Sequence, residues 1–111
     1  MNLDELVESI QNSDVELKKQ LKFLIEKWKI DSSSLEDLSF MIEKWHGNVW
    51  FSSDKNSNQF YENWNEFKDK AINSIGGMTM NERLYWFGLF EIWDNSNSDL
   101  KKTIYIKLKA E

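Results

Sequence analysis

One histidine and no cysteine set the limits on catalysis in this 111-residue chain. Nucleophilic and general acid–base chemistry need a reactive side chain held by an orienting partner. His46 follows Trp45 at the expected end of a helix, where an imidazolium is also favoured by the helix dipole. Nothing at a fixed spacing marks a partner that would make it a base, and a lone imidazole among carboxylates is a poor zinc set. Carboxylates are plentiful. Glu62, Glu66 and Asp69 recur at intervals of four and three, which puts them on one face of a helix, and Asp4, Glu5 and Glu8 make a similar group near the start. Either group reads as an ordinary solvated face or as a docking surface for a basic partner, with glycosidase-type use of two acids a distant third. The stretch "DKNSNQFYE" lacks the glycine and the bidentate glutamate of a calcium loop where these are required. Gly76-Gly77 precedes a helix but lacks the lysine and spacing of a phosphate loop. No catalytic residue, metal site or cofactor is expected.

Rings beside acids carry more information. Trp50 and Tyr61 belong to no clean apolar stripe, and Asp54 and Glu62 lie next to them. An aromatic anchor bordered by charge is the usual make-up of a protein-binding hot spot. The candidate partner-binding set is therefore Trp50, Asp54, Tyr61, Glu62, Glu66 and Asp69.

Composition narrows the classes further. With 41% hydrophobic and 30% charged residues, the chain has the make-up of a single globular domain over residues 1–111, neither disordered nor membrane-embedded. Six Trp and seven Phe can build a large core from few positions, since each ring buries roughly 150–250 Å². The longest apolar run, Leu84 to Phe90, is far short of the ~18 residues of a membrane span, and the acidic "MNLDELVES" does not look like an export signal. A cytoplasmic location is expected, in keeping with the absence of cysteine. Nineteen acidic against fourteen basic side chains give a net charge of −5. Such a field disfavours nucleic acid and anionic lipid as partners and favours a basic protein.

These side chains must be positioned by helices. The chain contains no proline and four glycines. Leu3, Leu6, Val7 and Ile10 predict a short first helix closing near Asn12-Ser13. Asp14 is a natural N-cap for a second, whose stripe is Leu17, Leu21, Leu24, Ile25 and Trp28, with the lysines of that segment and Glu26 largely turned to water. Ser34 and Asp37 make a capping box for a third helix, striped by Leu35, Leu38, Met41, Ile42 and Trp45 and stopped at Gly47. Phe60, Trp64, Phe67, Ala71 and Ile75 predict a fourth, ended by Gly76-Gly77. Thr79 and Glu82 open a fifth, apolar on nearly all sides as far as Trp93, with Gly88 available for close approach. After the turn "DNSNSD", Asp99 can cap a last segment. "TIYIKLK" alternates like a strand, yet Leu100, Ile104 and Leu108 fit a helix, and lysines crowd its C-terminal half where the dipole favours them. The expected fold is all-α, a compact bundle of five to six helices, with a possible short strand near residues 49–51.

"FLIEKWKI" at 23–30 and "FMIEKWHG" at 40–47 share Phe, Ile, Glu, Lys and Trp in register. The offset of seventeen residues is too short for a solenoid repeat and no third copy follows. The twins read as two helix ends meeting one hydrophobic centre.

The stretch "MTMNERLYWFGLFEIWD" with "DLKKTIYIKL", about a quarter of the chain, resembles a C-terminal module of small bacterial proteins in which a capped helix with a central glycine leads through an acidic turn to a Lys-rich helix. No active-site residue comes with that resemblance. In size, acidity and ring content the chain is also similar to the immunity proteins of bacterial toxin systems, including contact-dependent growth inhibition. That similarity implies a non-enzymatic inhibitor that binds one cognate toxin domain and masks its active site, a basic nuclease being the natural target of an acidic surface. The other class compatible with these residues is a small helical adaptor or regulatory subunit.

Overall fold

The computed structural model describes residues 1–110. Seven α-helices follow in order: α1 (Leu3–Glu8), α2 (Val15–Ile30), α3 (Leu35–Asn48), α4 (Asp54–Phe67), α5 (Met80–Trp86), α6 (Phe90–Asp94) and α7 (Ser98–Lys107). No strand occurs among the described residues. The all-α expectation holds, and the last segment is helical.

The helices begin where side chains can satisfy their free N–H groups. Asn2 with Glu5, Ser34 with Asp37 and Thr79 with Glu82 form three reciprocal capping boxes, while Ser53 and Asn97 cap α4 and α7. Asp99, expected as the last cap, lies inside α7 because Asn97 starts the helix two residues earlier. Gly47 does not stop α3: the helix runs one residue further to Asn48, and Val49 leaves it in extended conformation.

Two departures from the expected helices occur, and the first raises their number to seven. The apolar segment expected as one helix breaks at Gly88, which adopts φ +64° and divides it into α5 and α6. Its middle is buried through Leu84, Phe87 and Leu89, but α6 lies at the surface with no fully buried residue. Beyond Phe67, α4 widens into a π-helical turn at Lys68–Ile72 before a 3₁₀ turn at Ile75–Gly77.

The core is a continuous cluster in which Leu3, Leu6, Leu21, Leu35, Leu38, Ile42, Phe87, Leu89, Ile104 and Leu108 are fully buried. α2 is central and touches α1, α3 and α7, while α4 packs on α1. The smallest dimension is 19 Å, which fits two helix layers at the usual 8–10 Å separation. Within it the twin tryptophans brace the α2–α3 hairpin reciprocally. Trp28 of α2 donates its indole N–H to the carbonyl of Ser34 at 2.8 Å, and Trp45 of α3 donates to Gln20 Oε1 at 3.5 Å.

Two lysines are buried, and one of them, Lys29, contradicts the expectation that the lysines of the second helix face water. Lys29 is 4% exposed, its ammonium 2.6 Å from Asp4 Oδ1 and 3.7 Å from Glu26. Lys107, equally buried, crosses from α7 to the end of α2. Their α2 and α7 neighbours turn these positions inward, and each long side chain finds an acceptor at its tip.

Candidate functional site

Residues 49–51 do not form a strand, because no other strand lies alongside to pair with them. Val49 nonetheless leaves α3 in extended conformation, and an extended chain alternates its side chains. Val49 and Phe51 point inward and pack on the core. Trp50, between them, is 94% exposed.

The loop that carries Trp50 is pinned from below. Asp14, only 6% exposed, accepts hydrogen bonds from the Ser52 N–H at 2.7 Å, the Ser52 hydroxyl at 3.1 Å and the Asn56 amide at 3.1 Å. Expected as the side-chain cap of α2, Asp14 makes no capping bond there and instead ties the start of α2 to the start of α4. Phe51 adds a second anchor by packing on Trp45, His46 and Phe60 with ring centres 5.7–6.0 Å apart.

On α4 the stripe Phe60, Trp64 and Phe67 is buried, so the opposite face is turned to water. Asp54, Tyr61, Glu62, Glu66 and Asp69 all lie on that outer face and are exposed. Tyr61 is half-exposed and stacks on the His46 ring at 5.5 Å, so it is an anchored ring rather than a free one. The six candidate residues are thus all exposed, Trp50 on the loop four residues before Asp54, the next four along α4 and Asp69 on the π turn that follows. From Asp54 to Asp69 this is roughly 22 Å at the helical rise.

Its charge is less one-sided than the sequence suggests. Glu66 is bound to Lys70 at 2.8 Å, which holds the Glu66 carboxyl below its ordinary pKa and raises that of Lys70. Asp54, Glu62 and Asp69 have no ion-pair partner among the described residues. Among the described residues three free carboxylates thus stand here with one free cation, Lys55, while Glu66 is largely neutralised by its neighbour.

His46 is built into this same region. Its Nε2 lies 3.2 Å from both the carbonyl oxygen and the hydroxyl of Ser57, and its ring is enclosed by Phe51, Phe60 and Tyr61. The ring's position between α3 and α4 is that of a packing element which orients Tyr61.

A second acidic feature was not evident from the sequence. Asp4, Glu8, Glu26 and Glu91 line a cleft of about 300 Å³ between α1, α2 and α6, with Lys22, Lys29 and Gly88 in its wall. Asp4 and Glu8 stand one turn apart near the start, but Glu26 and Glu91 are distant in the chain, and no local spacing announces that all four meet. No group of three or more metal-ligating side chains suited to a metal ion occurs among the described residues. No described helix is long and apolar enough to cross a membrane.

Comparison with family models, with curated proteins and with solved structures gives no match to this chain.

Proposed function

We propose that this chain is a non-enzymatic immunity protein, which binds a cognate bacterial toxin domain, a basic nuclease in the leading case, and masks its active site. The observation that carries the reading is Trp50, a large ring held almost wholly in water by a loop that is fixed on both sides. A ring of this size presented on a rigid support gains contact area on binding without first losing conformational freedom. The free carboxylates of Asp54, Glu62 and Asp69, with Glu66, steer a cationic partner towards it, and Tyr61 supplies a second anchor. The net charge of −5 adds to the same attraction.

The experiment is a pull-down with the full chain as bait against the product of the adjacent upstream gene, followed by binding and toxin-activity assays. The chain should suppress the toxin's activity, with Trp50→Ala weakening binding by about tenfold or more. Charge reversal at Glu62 and Asp69 should slow association and flatten its dependence on salt. Binding that survives both changes undiminished, or an adjacent product that does not bind, would overturn the reading.

A further inference from the structure

The twin segments repeat an outside as well as an inside. Phe23 and Phe40 occupy equivalent places, each five residues before the buried tryptophan of its segment. Five residues advance roughly 140° around a helix beyond one full turn, so a segment that buries its tryptophan turns its phenylalanine to solvent. The two rings are 67% and 68% exposed. One turn after each stands a lysine, Lys27 and Lys44, and neither takes part in an ion pair among the described residues. Lys44 extends over the Phe40 ring at 5.9 Å.

Between α2 and α3 lies a shallow trough floored by Leu24 and Met41. One part, about 390 Å³, is bounded by Lys44, Trp45 and Asn48, and its wall is almost entirely apolar. Past the same two floor residues it continues into a part of about 210 Å³ bounded by Lys27 and Trp28. Asp31 and Asp37 border that second part, but both are engaged: Asp31 with Ser33 and Lys107, Asp37 with the Ser34 N–H. Asp31 is ion-paired with Lys107, whereas the hydrogen bond to Asp37 leaves its charge in place, so Lys27 and Lys44 stand against one unpaired carboxylate and the balance at the trough is positive, on a molecule that is otherwise acidic.

We propose that this trough is a docking site for an amphipathic helix of a second protein. Its apolar stripe would seat on Leu24 and Met41, with the exposed Phe23 and Phe40, which precede them in the chain, adding apolar surface beside the trough, and carboxylates on its flanks would meet Lys27 and Lys44. The concave, apolar floor fits the convex side of a helix, the common mode of helix-in-groove recognition. Charge selects the occupant. Two copies of this chain packed face to face would set their free lysines against one another, and the net charge of −5 opposes an anionic lipid surface. The site is separate from the toxin-masking surface and does not rest on that reading. Glu43 and His46 of α3 face α4, whereas Met41, Lys44 and Trp45 border the trough with α2.

The test uses the full chain and two helical peptides with leucines at every third and fourth position, one flanked by glutamates and the other by lysines. Binding is followed by peptide anisotropy and by amide chemical shifts of the protein. The acidic peptide should bind and shift Leu24, Met41 and Lys44, with the basic peptide weaker by about tenfold or more. Phe23→Ser with Phe40→Ser should abolish this binding while the helical circular dichroism is unchanged, and Lys27→Glu with Lys44→Glu should reverse the peptide preference. Trp50→Ala should leave it intact, which separates this site from the α4 surface. Equal binding of both peptides, no binding of either at millimolar concentration, or shifts lying elsewhere would overturn the proposal. So would binding of phosphatidylserine vesicles in place of the peptide, or self-association that covers Phe23 and Phe40.

Discussion

The ammonium of Lys107 lies 2.7 Å from the backbone carbonyl of Trp28 and 4.3 Å from the centre of its ring, so one α7 side chain closes the end of α2 in two ways. It also reaches the Ser33 carbonyl at 2.6 Å and Asp31 at 3.3 Å. The last carbonyls of a helix have no partner within it, and a cation there satisfies both the hydrogen bonds and the dipole. Burial pulls the Lys107 pKa below the ordinary lysine value, and Asp31 opposes that shift. Lys107→Met keeps the length and removes the charge, leaving buried acceptors unmet. Urea denaturation should show a loss of about 2–4 kcal/mol.

Gly88 is held at φ +64°, and a Cβ there would fall 2.2 Å from Asp4 Oδ2. Gly88→Ala should therefore destabilise by about 1–3 kcal/mol, through backbone strain and through displacement of the carboxylate that pairs with Lys29. In the double variant with Asp4→Ala the steric part disappears. Its unfolding free energy should fall by less than the two single changes added together, a coupling that thermal melts at matched pH can measure.

Asp14 sets the loop below Trp50 by accepting three hydrogen bonds from Ser52 and Asn56. Asp14→Ala leaves those donors unmatched in a half-buried place. The expected cost is about 1–3 kcal/mol, and hydrogen exchange at the Ser52 backbone amide should accelerate well before global unfolding. Asp14→Asn, which keeps one acceptor oxygen, should lose less.

Glu43 accepts hydrogen bonds from Lys68 at 2.9 Å and from the Trp64 indole at 3.0 Å. The Lys68 bond first and the Trp64 bond second hold its carboxyl below the ordinary value of 4.5. Because the folded value is the lower one, the stabilisation is complete above the unfolded pKa and fades as pH falls through the folded pKa. Between about pH 7 and about pH 3 the urea midpoint should therefore drop less in Glu43→Gln than in the parent chain. An equal drop in both would remove Glu43 from the acid limb.

Local chemistry was readable and cross-chain chemistry was not. Ser34 with Asp37 and Thr79 with Glu82 signal their caps within four residues, and the stripes that carry Trp28, Trp45 and Trp64 follow from a 3.6-residue period, so those elements were legible. The break at Gly88 was hidden because "RLYWFGLFEIW" is apolar all round and carries no period to interrupt. The π turn at Lys68–Ile72 leaves no mark of its own in residue types. Lys29 reads as solvent-facing, and nothing marks Lys107 as buried, because what encloses them, Asp4 and the end of α2, is distant in sequence. For the candidate surface, Trp50 and the acids of α4 could be named from the sequence. The grip of Asp14 on Ser52 could not, since it spans 38 positions.

Of six indoles, five are shielded in whole or part by their neighbours, and Trp50 alone stands in solvent. Its fluorescence should accordingly be the red-shifted, readily quenched part of the emission. Any protein that settles on that loop would move this colour to the blue and protect it from acrylamide, giving the molecule an intrinsic optical gauge of occupancy with no label attached.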